Sequence, residues 1–161
     1  MPQHLAQALR RLVESELAGL QAISEEAAGR PGQNGGWSRK EELGHLIDSA
    51  ANNHQRFVRA ALASEFRGPG YAQDEWVKLH GYREARWATL TGFWRQYNLL
   101  LARVIERIAD EQLATPCVIG DSQAVTLGFL IEDYLLHVQH HLDHILGRER
   151  MTEYPGAALG V

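Results

Sequence analysis

The sequence has very little cysteine and no long hydrophobic run, and both absences narrow the class of protein. Cys117 is the single cysteine among 161 residues, so an internal disulfide is excluded and a reducing compartment is favoured. We interpret Cys117 as a small buried apolar residue. No stretch is apolar enough to span a bilayer, and residues 1–10 lack the continuous apolar core of a signal peptide. We therefore predict a cytoplasmic protein without membrane contact.

An excess of positive charge is also missing. The chain has 16 Lys and Arg against 20 Asp and Glu, a formal net charge of −4, and its basic residues are scattered, which disfavours nucleic-acid binding. The 45% hydrophobic and 22% charged residues are close to the globular average. A chain of this length fits one domain. We predict a single domain over residues 1–150 and a flexible C-terminal tail over residues 151–161.

Several familiar catalytic motifs are absent from the sequence. The chain contains no G-x-S-x-G, no phosphate-binding glycine loop and no H-E-x-x-H, so serine-hydrolase, nucleotide and zinc-protease chemistries lack support. A di-iron carboxylate bundle needs two E-x-x-H motifs and further glutamates. This chain has one such motif, from Glu42 to His45.

The hydrophobic pattern is helical, and no useful stretch alternates with period two. Ser38 followed by Glu41 is a capping box that marks the start of the second helix. A seam spaced by three and four residues follows the third helix from Trp87 to Ile108. Four long helices predict an all-α antiparallel four-helix bundle with two long connections. The helices are expected at residues 2–28, 38–64, 83–108 and 126–146, and the connections at 66–82 and 110–125.

Histidine stands out in the composition. Four of the eight histidines lie in one ten-residue stretch of the predicted fourth helix, residues 136–145. They form two interleaved i, i+4 pairs, His137 with His141 and His140 with His144. Two imidazoles one helical turn apart can bind one metal ion in their neutral form. The helical wheel places His137 and His141 nearer the apolar direction and the other pair nearer water. The inward pair is the better metal site, and it needs a third ligand from elsewhere.

The second helix offers His45 and His54 as that third ligand. His54 lies at the centre of the apolar face and His45 is roughly opposite, so periodicity alone favours His54. The face that carries His45 also carries Asp48, Asn52 and Arg56. That face is either a solvated surface or the polar lining of a pocket.

Six parts of the sequence share one resemblance: Gly36-Trp37-Ser38, residues 43–49, Asn52, Arg56, the linker 70–76 and the fourth-helix stretch 137–145. Together they resemble the DinB-like family of damage-inducible, metal-binding four-helix bundles. The similarity implies that His45, His137 and His141 bind a divalent metal inside the bundle. It also implies that Asp48 and Arg56, together with Asn52, line a pocket.

The same resemblance implies a small-molecule substrate. Some relatives transfer or isomerise groups with a low-molecular-weight thiol such as bacillithiol, mycothiol or glutathione, so a metal-dependent S-transferase or isomerase is one expectation. The alternatives are a non-catalytic metal-binding stress-associated protein and a purely structural bundle. Zinc and nickel are the preferred metals, and iron or manganese is left open. Histidine ligation alone does not identify the metal, because it suits zinc, nickel, iron and copper alike. The tryptophan-rich third helix offers a surface for a homodimer.

Overall fold

The computed structural model describes residues 1–149, and the predicted tail at 151–161 lies outside this range. The secondary structure is mainly helical, with three short strands in the connections. The helices are α1 (Pro2–Gln21), α2 (Glu25–Gly29), α3 (Arg39–Ala61), α4 (Gln73–His80), α5 (Trp87–Glu106) and α6 (Leu127–Ile145), and the strands are β1 (Phe66–Gly68), β2 (Pro116–Ile119) and β3 (Val125–Thr126). Three short 3₁₀ turns cover Gln33–Gly35, Tyr82–Glu84 and Asp110–Ala114.

The four long helices form the predicted four-helix bundle. Helix α1 packs against α5 and α6, and α3 packs against the same two helices. The indole of Trp87 donates to the carbonyl of Leu20, and Arg10 pairs with Glu106, so α1 and α5 are antiparallel. Contacts of His45 with His137 and of Glu42 with His144 make α3 and α6 antiparallel as well.

Helices α3 and α5 run in the same direction, which explains the length of the connection between them. Lys40 contacts Arg83 at one end of the pair, and His54 contacts Tyr97 further along both helices. The chain must therefore return along the bundle after α3 before α5 can start. Helix α4 lies in this return segment, where the sequence predicted only an irregular connection.

A small mixed sheet ties the two long connections together, a feature that the hydrophobic pattern did not reveal. Strand β1 pairs in parallel with β2, with Phe66 opposite Cys117, and β2 pairs antiparallel with β3. Cys117 is fully buried, as predicted, and its thiol donates to the carbonyl of Thr115. Strands of two to four residues are too short to produce a clear alternating pattern.

The helix boundaries differ from the predicted ones mostly at the first helix, which is broken. Helix α1 ends at Gln21, and Ser24 caps the separate helix α2 by accepting from the backbone N–H of Ala27. The capping box at the start of α3 is confirmed: Ser38 accepts from the N–H of Glu41, and Glu41 accepts from the N–H of Ser38. Local side-chain caps thus define the starts of α2 and α3.

The core lies between the four long helices. Trp94 and Leu101 on the predicted seam of α5 are fully buried, while Tyr97 is half-buried and Asn98 takes a core position. The side-chain N–H₂ of Asn98 donates to the carbonyl of Trp94, and its oxygen accepts from Tyr134. Burial thus follows the 3.6-residue period of a helix more closely than a strict heptad. None of the helices within residues 1–149 combines the length and hydropathy needed to cross a membrane.

Gly44 in α3 is expected to be required for packing, although alanine is the better helix former. A Cβ at Gly44 would lie 2.1 Å from the ring of Tyr82, whereas a Cβ at Gly92 in α5 would meet nothing within 4 Å. We expect Gly44→Ala to lower the free energy of unfolding by about 1–3 kcal/mol through overpacking. The matched Gly92→Ala should raise it by up to about 1 kcal/mol. Urea unfolding of both variants measures this, and a stabilised Gly44→Ala protein would contradict the packing argument.

Candidate metal centre

The antiparallel packing of α3 and α6 brings histidines from the two helices together. The Nε2 atoms of His45 and His137 lie 3.0 Å apart, and both side chains are almost fully buried. His141, one turn after His137, completes a triangle with ring centroids 4.7 Å from His45 and 4.6 Å from His137. The three predicted ligand residues therefore form one cluster.

The cluster fits a divalent metal ion by donor type and spacing. Each histidine offers one ring nitrogen, and these three atoms lie within 4.8 Å of one another. Zinc binds imidazole nitrogen at about 2.0–2.1 Å, so two ligands of a tetrahedral ion lie about 3.3 Å apart. The 3.0 Å between the Nε2 atoms of His45 and His137 is close to that separation, and side-chain adjustments within the 4.8 Å cluster would bring the third nitrogen to it.

Burial keeps two of these imidazoles neutral. Desolvation, and then the closeness of His141, lowers the pKa of His45 to about 3. The pKa of His137 lies well below its ordinary value, mainly because of burial and then because of His141 and His45. Neutral imidazole is the form that binds metal, so these residues are ready to act as ligands at neutral pH.

Glu42, a buried carboxylate on α3, orients the third histidine. Its Oε1 accepts from Nδ1 of His141 at 2.9 Å, and its two oxygens accept from Nδ1 of His144 at 2.8 and 2.6 Å. A proton held on Nδ1 leaves Nε2 of His141 unprotonated. On the other side of the cluster, the hydroxyl of Ser49 lies 3.3 Å from Nδ1 of His137. Carboxylate or hydroxyl partners of this kind fix the ring orientation of metal-binding histidines.

Sequence reasoning missed the roles of Glu42, Ser49 and Trp37. The ring of Trp37 lies 5.0 Å from that of His45 and covers it. The spacing of Glu42 and Ser49, three residues before and four residues after His45, places all three on one helical face. That spacing was a usable signal for Glu42 and Ser49. Trp37 lies before the helix, where periodicity gives no information.

The wheel set His45 opposite the apolar face of α3 and favoured His54, but the structure buries residues on both faces of this helix. His45 is 1% exposed, while His54 is half-buried with Nδ1 3.2 Å from the hydroxyl of Tyr97 on α5. Helix α3 is packed against α5 on one side and α6 on the other, so opposite faces of it are buried. His45 faces the α6 side and joins the cluster, and His54 does not.

The second histidine pair of α6 is more exposed than the first. His140 is partly buried, and the side chain of His144 is 75% exposed, in contrast to the buried His137. The ring of His140 lies 5.0 Å from that of His141. His144 contacts the cluster through Glu42, a link that the wheel did not suggest.

The three residues predicted to line a pocket occupy different environments. Asp48 is buried, and its Oδ1 accepts from the hydroxyl of Tyr82 at 2.6 Å and from Nδ1 of His80 at 2.9 Å. Arg56 is buried and donates to the carbonyl of Pro69. Asn52, half-buried, donates to the backbone carbonyl of Asp48. The contacts of Asp48 and Arg56 join α3 to the return segment, whereas that of Asn52 stays within the helix. A pocket role for the three residues remains a prediction.

An open pocket of about 420 Å³ adjoins the histidine cluster and gives it access to solvent. It is lined by Glu42, His140, His141, His144 and Arg148. Of the three clustered histidines, His141 is the partly exposed one and the one that lines this pocket. A small molecule would therefore approach the cluster from the His141 side.

The metal-free protein should lose stability as the pH falls from 6.5 to 5. The pKa values of His45 and His137 are lowered in the folded state, so the unfolded chain binds more protons in this range and acid favours unfolding. Each histidine contributes up to roughly 1.4 kcal/mol per pH unit. Urea unfolding between pH 7 and 5 measures the loss.

A matched pair of variants separates this effect from other titrations. His45→Gln removes one buried imidazole of the cluster and should flatten the pH dependence. His54→Gln, the same change at a histidine of α3 outside the cluster, is the matched control for the substitution itself. Burial raises the pKa of Asp48, which acts in the opposite sense because its protonated form is favoured in the folded state. Equal slopes for wild type and His45→Gln would contradict the burial argument.

The chain is similar to two curated bacterial proteins named "Putative metal-dependent hydrolase". One, from Oceanobacillus iheyensis, is 26% identical over 119 residues, which cover 70% of this chain and 65% of that protein. The other, from Geobacillus thermodenitrificans, is 27% identical over 143 residues, which cover 86% of this chain and 79% of that protein. The match to the first relative thus spans slightly less than two thirds of its length.

A solved structure and a family model also match this chain. The fold resembles that of YfiT from Bacillus subtilis, described as "a probable metal-dependent hydrolase with an unusual four-helix bundle topology", with a TM-score of 0.79. That match has 19% sequence identity and covers 91% of this chain and 84% of the other. The sequence model of the DinB superfamily matches residues 4–145, which confirms the predicted resemblance. The chain belongs to the DinB superfamily.

Proposed function

We propose that this protein is a metal-dependent hydrolase of a small molecule, with a divalent cation held by His45, His137 and His141. The observation that carries the proposal is the convergence of three histidines beside an open pocket. Structural zinc sites are closed by four protein ligands, whereas catalytic sites commonly combine three protein ligands with an open position. Zinc or nickel is the proposed metal, because imidazole suits both.

Each neighbouring residue has a separate task in this proposal. A divalent cation, when bound, supplies positive charge that lowers the pKa of a water molecule or thiol and polarises a substrate oxygen. Glu42 keeps the proton of His141 on Nδ1, and Ser49 supports His137. Trp37 covers His45, which limits water on that side. The substrate would enter from the His141 side.

Hydrolysis is preferred over thiol transfer because the relatives are named hydrolases. The chain's own thiol is unsuited to reaction, since Cys117 is buried and burial raises its pKa to about 11. A thiol-dependent reaction would need an external thiol such as bacillithiol, mycothiol or glutathione. Turnover of ester and amide panels, with and without such thiols, distinguishes hydrolase from S-transferase. A protein that binds metal but turns over neither panel would support the non-catalytic alternative.

Metal binding should depend on His45, His137 and His141 and should tolerate the loss of His54 or His140. Calorimetric titration of zinc into untagged metal-free protein should give one ion per chain, and His45→Ala, His137→Ala and His141→Ala should each abolish stoichiometric binding. Bound zinc should also raise the melting temperature, because it binds the folded state.

Two neighbouring histidines provide the controls for this titration. His54 lies on the same helix as His45, and His140 lies next to His141. Replacing either one with alanine also removes one imidazole, so these variants test which imidazoles bind the metal and not how many the protein has. Both variants should retain one zinc per chain. Loss of zinc in His54→Ala or His140→Ala, with retention in His45→Ala or His141→Ala, would reject the proposed ligand set.

Glu42 should strengthen metal binding without contacting the metal. Glu42→Gln preserves size but removes the negative charge that accepts the Nδ1 proton of His141, so zinc affinity should fall about 10–100-fold. Glu132, exposed on the same helix as His141, provides the matched control, and Glu132→Gln should change zinc affinity less than about twofold. Equal affinities for wild type and Glu42→Gln would remove the orienting role.

A further inference from the structure

A second and larger pocket lies beside the candidate metal centre. Its volume is about 570 Å³, which is within the range of small-molecule sites. The loop between α2 and α3 forms one wall, and the residues around the end of α6 form the other. The lining residues are Arg30, Pro31, Gly32, Gln33, Trp37, Arg39, Glu42, His144, Gly147 and Arg148.

Arg39, the first residue of α3, places a positively charged group in this pocket. Its Nε donates to the carbonyl of Ile145 at 2.9 Å, and its Nη1 donates to the carbonyl of Ala27 at 3.3 Å. These bonds anchor the guanidinium to the C-terminal turns of α6 and α2. A guanidinium has five N–H donors, so three remain for another partner as far as residues 1–149 are concerned.

Arg39 differs in one respect from the other two arginines of the pocket, Arg30 and Arg148. Arg148 pairs with Glu16 and Asp143, and Arg30 pairs with Glu26 at the surface. Within residues 1–149, Arg39 contacts backbone carbonyls and forms no ion pair with a carboxylate. Its charge is therefore available to an anionic ligand, and its orientation is already fixed.

The remaining lining residues connect this pocket to the histidine cluster. Glu42 and His144 line both this pocket and the one beside His141. The carboxylate of Glu42 is already bonded to His141 and His144, which reduces its repulsion of an anion. Trp37, which covers His45, adds an aromatic surface. A ligand in this pocket would lie next to the cluster.

We propose that this pocket binds the carboxylate of a small organic acid, with Arg39 as the anion-binding residue and Trp37 as the surface for its planar part. A guanidinium matches a planar carboxylate with parallel N–H donors. The inference rests on the proposed function, because it makes the substrate of the metal centre an organic acid. Binding of the acid itself depends on Arg39 and not on the metal.

The test compares benzoate with benzamide, which has nearly the same shape but no charge. Calorimetric titration of each into the full chain, with and without zinc, should show binding of benzoate at least about tenfold tighter than that of benzamide. Arg39→Gln should remove this preference, and Arg39→Lys should retain only part of it. Arg30→Gln removes an arginine of the same pocket that is already paired, and should change benzoate affinity less than about twofold.

The possible outcomes separate this inference from the proposed function. Equal binding of benzoate and benzamide by wild type would overturn the inference, and this comparison does not depend on how well the variants fold. Unchanged benzoate affinity in a folded Arg39→Gln protein would also overturn it, as would binding of inorganic phosphate without binding of benzoate. Arg39-dependent benzoate binding in a protein that takes up no zinc would support the anion site while rejecting the metal-dependent function.

Discussion

The contact between α3 and α6 is the interaction on which the candidate metal centre depends. It places His45 within 3.0 Å of His137, buries both rings and brings Glu42 to His141. All of these groups lie on helices, so their positions are set by packed backbone and not by a loop. A site built on rigid elements holds its ligands more exactly in place than a site built on loops. The same contact determines which histidine remains accessible.

Helix α3 combines two roles that are usually separate. It carries apolar core residues such as Phe57, while its side toward the histidines of α6 and the return segment carries buried Glu42, Asp48 and Ser49. Buried polar groups are tolerated when they are hydrogen-bonded and are costly otherwise. The polar side of α3 therefore contributes less to stability than an apolar face would. It lies beside the histidine cluster, where polar groups have a chemical use.

The sequence was sufficient to predict the number and type of the main elements. Long segments with a clear 3.6-residue period gave the four bundle helices, and Ser38 with Glu41 gave the start of α3. The break after Gln21 was missed because apolar residues continue through Ala27 and Ala28. The strands were missed because they are short, and α4 because glycines flank it. The pairing of β1 with β2 joins distant parts of the chain, which local periodicity does not report.

For the candidate site, periodicity and family resemblance disagreed about α3, and the structure places His45 in the cluster. A wheel assumes one buried face, which is false for a helix with neighbours on opposite sides. Glu42 was visible only as part of an E-x-x-H motif, and its partner His141 lies 99 residues further along the chain. The Arg39 pocket also depends on contacts across the bundle, from Ala27 to Ile145.

The large separation of the clustered histidines along the chain has a consequence for the order of folding events. His45 and His137 are 92 residues apart, and closing a flexible loop of that length costs roughly 4 kcal/mol in entropy. A metal ion cannot recover that cost until α3 and α6 have already docked. The complete three-histidine site therefore forms only when α3 and α6 dock, and an ion bound to it should slow unfolding more than it accelerates folding.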